Sequence, residues 1–212
     1  MPVWQELREE LKDKNFEIIT VACDTKGADA AESWIRAANP KHPSLIDTQH
    51  RVPELFSTRN VPAAFWIDED GRIVRANDPI FARRRTPDTD EFTVNEAYLQ
   101  TIRDWVDKGP ERVYVQDDVA TRSHMTSGTM EDVQAMAYFR LSSFLSQQGH
   151  DQDAVPYYKR AQELRPQNWN YKRQAWNWGD IERDYDTTMQ QAREEPASQP
   201  FRPPLDLPDQ PA

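Results

Sequence analysis

Apolar positions fall into two textures along the chain, and the change between them comes near residue 110. In the first part, short apolar runs alternate with helical stripes. Val3, Trp4, Leu7 and Leu11 line up opposite Glu6, Arg8, Glu9, Glu10 and Lys12, which predicts an amphipathic helix over 2–14. The apolar-rich run that follows predicts a buried strand over 16–22, ending in the loop Cys23-Asp24-Thr25-Lys26-Gly27. A second helix is predicted over 28–38, with Ala31, Trp34, Ile35 and Ala38 facing inward and Asn39-Pro40 closing it. Leu45-Ile46 predicts a short extended piece, and 52–56 a brief helix. The runs 63–68 and 72–76 flank an Asp-Gly turn, where glycine takes the positive φ that a tight hairpin needs. Pro62 has no N–H to donate, so it belongs at the mouth of the first hairpin strand. A polar insert over 77–92 holds Arg83-Arg84-Arg85, read as a solvated loop rather than an anion site. A helix over 94–106, stopped by Gly109-Pro110, completes an order that belongs to an α/β or α+β layered domain.

Beyond that point the pattern is helical. Residues 111–130 read as a connector, with 112–115 the one stretch of strand character. Helices are predicted over 132–148 and 153–164, and a third through Trp169, Tyr171, Trp176 and Trp178. From about residue 185 the chain turns polar, and from Pro196 it is Pro-rich. That tail reads as disordered, because it buries too little apolar area to offset its ordering entropy. The expected division is 1–108, a linker over 109–130, a helical part over 131–180 and a polar tail over 181–212.

Charge narrows the choice of partners. A formal net charge of -10 and a pI of about 4.9 argue against nucleic acid and against an anionic membrane surface. No run is long and apolar enough to span a bilayer. Met1-Pro2-Val3-Trp4-Gln5-Glu6 does not have the form of a signal peptide, and the compartment stays open. The single cysteine, Cys23, excludes an internal disulfide and a CxxC pair within these residues. Asp24 beside it raises a thiol pKa, so Cys23 reads as structural. His42, His50, His124 and His150 lack ligand spacing, so no metal site and no cofactor are expected. Asp68-Glu69-Asp70 reads as turn chemistry rather than an acid–base pair.

Two resemblances add to this. The run Val61-Pro62-x-x-Phe65-x-Ile67-Asp68-x-x-Gly71-x-Ile73, with the helix Pro2-Val3-Trp4-Gln5-Glu6-Leu7 and the strand Phe16–Ala22, resembles thioredoxin-like proteins of the TlpA/ResA class, related to AhpC/TSA proteins. The resemblance covers residues 1–108. It implies a thioredoxin-like α/β fold in which Val61-Pro62 is a cis bond, Val61 offers its backbone to substrate, and protein thiols or disulfides are the partners. It also implies a first strand and a CxxC motif, or one with selenocysteine, immediately before Pro2. That strand would lie between 16–22 and 63–68, and its absence leaves two unpaired edges unless 112–115 fills the slot. An N-terminally incomplete copy is the expectation. Residues 135–168 resemble a tetratricopeptide repeat through Leu141, Ser142, Gly149, Ala154, Tyr158, Ala161 and Pro166.

Two functions follow. One is a thiol–disulfide oxidoreductase that is inactive as given, for want of its redox motif. The alternative is a redox-inactive thioredoxin-fold module that binds a peptide partner through its helical extension and the Val61-Pro62 groove.

Overall fold

The computed structural model describes residues 2–78, 83–85, 92–108, 114–125 and 128–198. They form a mixed helix-and-sheet structure, compatible with an α/β class. The elements run α1 (Pro2–Glu10), β1 (Thr20–Ala22), α2 (Ala28–Ala38), β2 (Ser44–Ile46), α3 (Arg51–Leu55), β3 (Ala64–Ile67), β4 (Ile73–Asp78), β5 (Arg83–Arg85), β6 (Phe92–Val94) and α4 (Glu96–Lys108). The remaining helices are α5 (Asp118–His124), α6 (Met130–Gln147), α7 (Asp151–Leu164), α8 (Trp169–Trp178), α9 (Ile181–Tyr185) and α10 (Met189–Glu194), followed by a 3₁₀ turn, Pro196–Ser198.

Strands pair in three separate two-stranded ladders: β1 parallel to β2, β3 antiparallel to β4, and β5 antiparallel to β6. Among the described residues, no ladder joins β1 to β3. The stripe on α1 meets α4 over the β3–β4 hairpin, so Val3, Leu7, Leu11, Trp66, Val74, Tyr98, Leu99 and Ile102 form one buried cluster. A second cluster joins α6, α7, α8 and α9 through Ala135, Phe139, Ala154, Tyr158, Ala161, Tyr171, Ala175 and Tyr185. A three-residue connection folds α7 back on α6. Small residues at Ser142, Ala154 and Ala161, all buried, let the two helices approach. Among the described residues, no helix is long and apolar enough to cross a membrane.

Several expectations need correction. The strand predicted over 16–22 is in a ladder only from Thr20, because its partner β2 is three residues long. Thr20 N–H reaches Pro43 O at 3.0 Å, and pairing stops there. The helix predicted over 2–14 ends at Glu10, although Leu11 stays buried. Trp34 does not face inward but is 76% exposed, while Ala31 is buried and Ile35 and Ala38 are half-buried against the narrow β1–β2 pair. Arg83–Arg85 is a strand, not a loop, because the β-forming Phe92-Thr93-Val94 supplies its partner.

The connector carries α5, capped by Asp117, whose side chain accepts from Ala120 N–H at 2.7 Å. Residues 112 and 113 lie outside the described residues, and Tyr114–Gln116 runs beside β4. Gln116 N–H donates to Val74 O at 2.9 Å, and Arg75 Nη1 to Tyr114 O at 3.1 Å. This stretch therefore lies on the edge of β4 away from β3 and does not fill the slot. The part that reads as a polar tail from 181 holds α9, α10 and the 3₁₀ turn, with Tyr185, Ala192 and Ser198 buried. Lys172 Nζ donates to Ser198 Oγ at 2.6 Å, and Trp169 Nε1 to Ser198 O at 2.5 Å, so the segment is tied onto α8. The tail from 199 to 212 lies outside the described residues.

Candidate functional site

Two loops make the site, one following β1 and one preceding β3. The second, residues 56–62, carries Val61 and Pro62. Their peptide bond is cis, Val61 is half-buried and Pro62 is exposed. The loop is held from beneath by Asn77 at a left-handed φ of 54°. Asn77 accepts from Thr58 Oγ1 at 3.1 Å and donates to His124 O at 2.6 Å. The hairpin behind it turns at Gly71 (φ 77°), with Asp68 Oδ1 accepting from Asp70 N–H and Arg72 N–H at 3.0 and 2.9 Å. Asp68 is thereby committed to the turn.

The first loop, Cys23–Gly27, leads into α2 through Gly27 at φ 68°, where an added Cβ would meet Thr48 Cγ2 at 2.9 Å. Thr25 is buried, and its polar groups are taken up by the C-terminal helices. Its N–H and Oγ1 donate to Gln174 Oε1 at 2.9 and 2.6 Å, and Trp178 Nε1 donates to its Oγ1 at 2.7 Å. Gln147 Nε2 from α6 donates to its carbonyl at 2.9 Å.

Helix α8 bridges the two loops. Asn168 caps it, accepting from Asn170 and Tyr171 N–H at 3.1 and 3.3 Å. Its first turn grips the second loop: Trp169 N–H donates to Arg59 O at 2.7 Å, and Asn170 Nδ2 to Thr58 O at 2.7 Å. One turn on, Arg173 Nη1 donates to Val61 O at 2.9 Å and Asn60 Oδ1 at 3.0 Å. The next residue, Gln174, reaches the first loop, its Nε2 donating to Cys23 O at 3.3 Å. Adjacent side chains of one helix thus touch both loops, which places the carboxyl end of β1 and the amino end of β3 at the same end of the molecule. In α/β folds that end is where ligands bind.

Cys23 lies in this site but is not poised for chemistry. Burial first, then the carboxylates of Asp47 and Asp24, push its thiol up to about 12. Its sulfur makes a long 3.8 Å contact with Val21 O. Val21 also faces away from β2: Thr20 and Ala22 carry the bonds to that strand, so the main-chain N–H and C=O of Val21 point to the other edge of β1. The four histidines stay apart. His50 is buried against Phe139, and burial lowers its pKa to about 4. Among the described residues, no group of three or more His, Cys, Asp or Glu is placed to hold a metal ion.

Sequence reasoning named Val61 and Pro62 but not Thr25, Arg173 or Gln174. No spacing marks them, since their partners lie 112 to 153 residues away in the chain.

The chain is similar to the thiol-disulfide oxidoreductase ResA of Bacillus cereus, 31% identical over 74 residues. The match takes in 35% of this chain and 42% of that protein, so the chain spans well under two thirds of the relative. No family model matches the chain, and no solved structure matches it. The partial likeness supports a thioredoxin-like relationship and nothing finer.

Proposed function

We propose that this chain is the larger part of a thioredoxin-like thiol–disulfide oxidoreductase, or of a selenol-dependent one. Val61 and Pro62 face the substrate, and the redox pair belongs to a strand and helix start that lie between β1 and β3. The observation that carries this reading is the break in the sheet. Among the described residues, a parallel pair and an antiparallel hairpin have no further strand paired at β1 and β3, and Val61-Pro62 stands just before β3. In the reaction, one thiolate of the pair attacks a substrate disulfide, and one substrate sulfur leaves as thiolate. The second thiol then attacks the mixed disulfide, releasing the reduced substrate and leaving the pair oxidised. Two electrons pass from the pair to the substrate. Cys23 takes no part.

The test is reduction of the small disulfide bis(2-hydroxyethyl) disulfide by the chain as given and by the protein that includes its in-frame upstream translation. Activity in the longer form alone is the expected result; inactivity in both overturns the reading. A second reading, a redox-inactive module for a protein partner, is favoured by a groove of about 620 Å³ between α3 and α6, where Leu55 and Phe144 are 75% and 58% exposed. On that reading the α6–α7 hairpin acts as a tetratricopeptide-like surface.

A further inference from the structure

Arg173 is held at the main-chain carbonyl of Val61, the residue before the cis proline. Its Nη1 donates to Val61 O at 2.9 Å and to Asn60 Oδ1 at 3.0 Å, and its guanidinium carbon lies 5.5 Å from the centre of the Trp169 ring. The helix beneath it does not swing freely. Trp169 and Asn170 fasten one end of α8 to Arg59 and Thr58, and Gln174 and Trp178 fasten the other to Thr25. An extended polypeptide docks on such a loop through main-chain bonds, its N–H donating to the exposed carbonyl. Here that carbonyl already accepts a charge-assisted bond, and α8 stands over it.

We propose that Arg173 is a specificity-determining residue that bars extended polypeptides from the Val61 edge and leaves the site to low-molecular-weight thiols and disulfides. The inference rests on the thioredoxin-like reading of Val61-Pro62. A small disulfide needs contact at its sulfur and no main-chain partner, so the occupied carbonyl does not exclude it. A polypeptide must displace the guanidinium, which lowers its affinity by a factor on the order of ten to a hundred.

The probe is fluorescein-labelled, S-sulfonated insulin B chain, an extended polypeptide without a free thiol, titrated into the full chain and followed by anisotropy. Arg173→Leu is expected to bind it at least about tenfold more tightly than the wild type, and Arg173→Lys, which keeps a donor, to stay near wild type. Equal affinity in wild type and Arg173→Leu, or no binding by Arg173→Leu, overturns the proposal. If Arg173→Leu loses its cooperative melt, Asn60→Ala replaces it. Loss of the Asn60 Oδ1 acceptor is expected to raise affinity roughly threefold, and no rise counts against the proposal. Reduction of bis(2-hydroxyethyl) disulfide by the longer in-frame protein separates the two ideas. Its absence counts against the redox reading whatever the anisotropy shows, and unchanged anisotropy counts against the Arg173 gate whatever the reduction shows.

Discussion

Cys23 shows how the surroundings of a thiol can keep it from its chemistry. A thiol held at about 12 has almost no thiolate at pH 8, and the thiolate is the reactive form. Raising the pKa from the ordinary 9.0 to about 12 predicts labelling by a thiol reagent at pH 8 on the order of a thousandfold slower in the folded chain than in urea. Labelling at comparable rates in the two states contradicts this. Only the smallest of the three causes was legible in the sequence, since Asp24 is the next residue. The two larger ones, burial and Asp47, come from the fold.

A second residue-scale case lies under the hairpin. Arg75 and Asp78 are fully buried, with Arg75 Nε donating to Asp78 Oδ2 at 2.6 Å. Tyr98 OH donates to the same oxygen at 3.0 Å, and Trp66 Nε1 to Tyr98 OH at 3.1 Å. Burial pushes the Asp78 carboxyl up, and Arg75 and Tyr98 pull it back. Asp78→Leu removes the counter-charge of a buried guanidinium and is expected to cost about 3–5 kcal/mol in urea unfolding, whereas Asp78→Leu with Arg75→Met recovers most of that loss. A double variant as unstable as the single one contradicts the argument.

At the scale of elements, periodicity located most helices, because α1, α4, α6 and α7 each bury a face. It failed where an element's partner decides the outcome. The strand 16–22 shortens to the length of β2, and Trp34 lies outside because its sheet is two strands wide. Helix α8 was legible as a helix from its aromatic residues, but its role was not. That role depends on Arg173 and Gln174 meeting loops encoded far upstream. Gln174 is the main acceptor for the Thr25 N–H, so Gln174→Leu leaves that donor unsatisfied. Amide exchange at Thr25 is expected to rise by about tenfold or more in that variant, with α4 and β4 unchanged. Exchange that stays slow at Thr25, or that rises evenly across the chain, contradicts a local clasp.

For the whole molecule, the sequence suggested a first part, a linker and a helical part, and the structure brings the last onto the first through α8. Arg140 of α6 also pairs with Glu54 of α3 across the groove. That docking was illegible because hydrophobic patterning records which face is buried and not what buries it. The division of the sheet was legible only through the resemblance of Val61–Ile73, which implies a strand between β1 and β3. Val21 gives the most direct measurement of that claim, since its amide faces the edge of β1 away from β2. Amide exchange followed by NMR is expected to be fast at Val21 in the chain as given, and slowed by about a hundredfold or more when the in-frame upstream residues are present. Exchange at Val21 that is already slow in the chain as given, or equally fast in both, contradicts a thioredoxin-like sheet completed between β1 and β3.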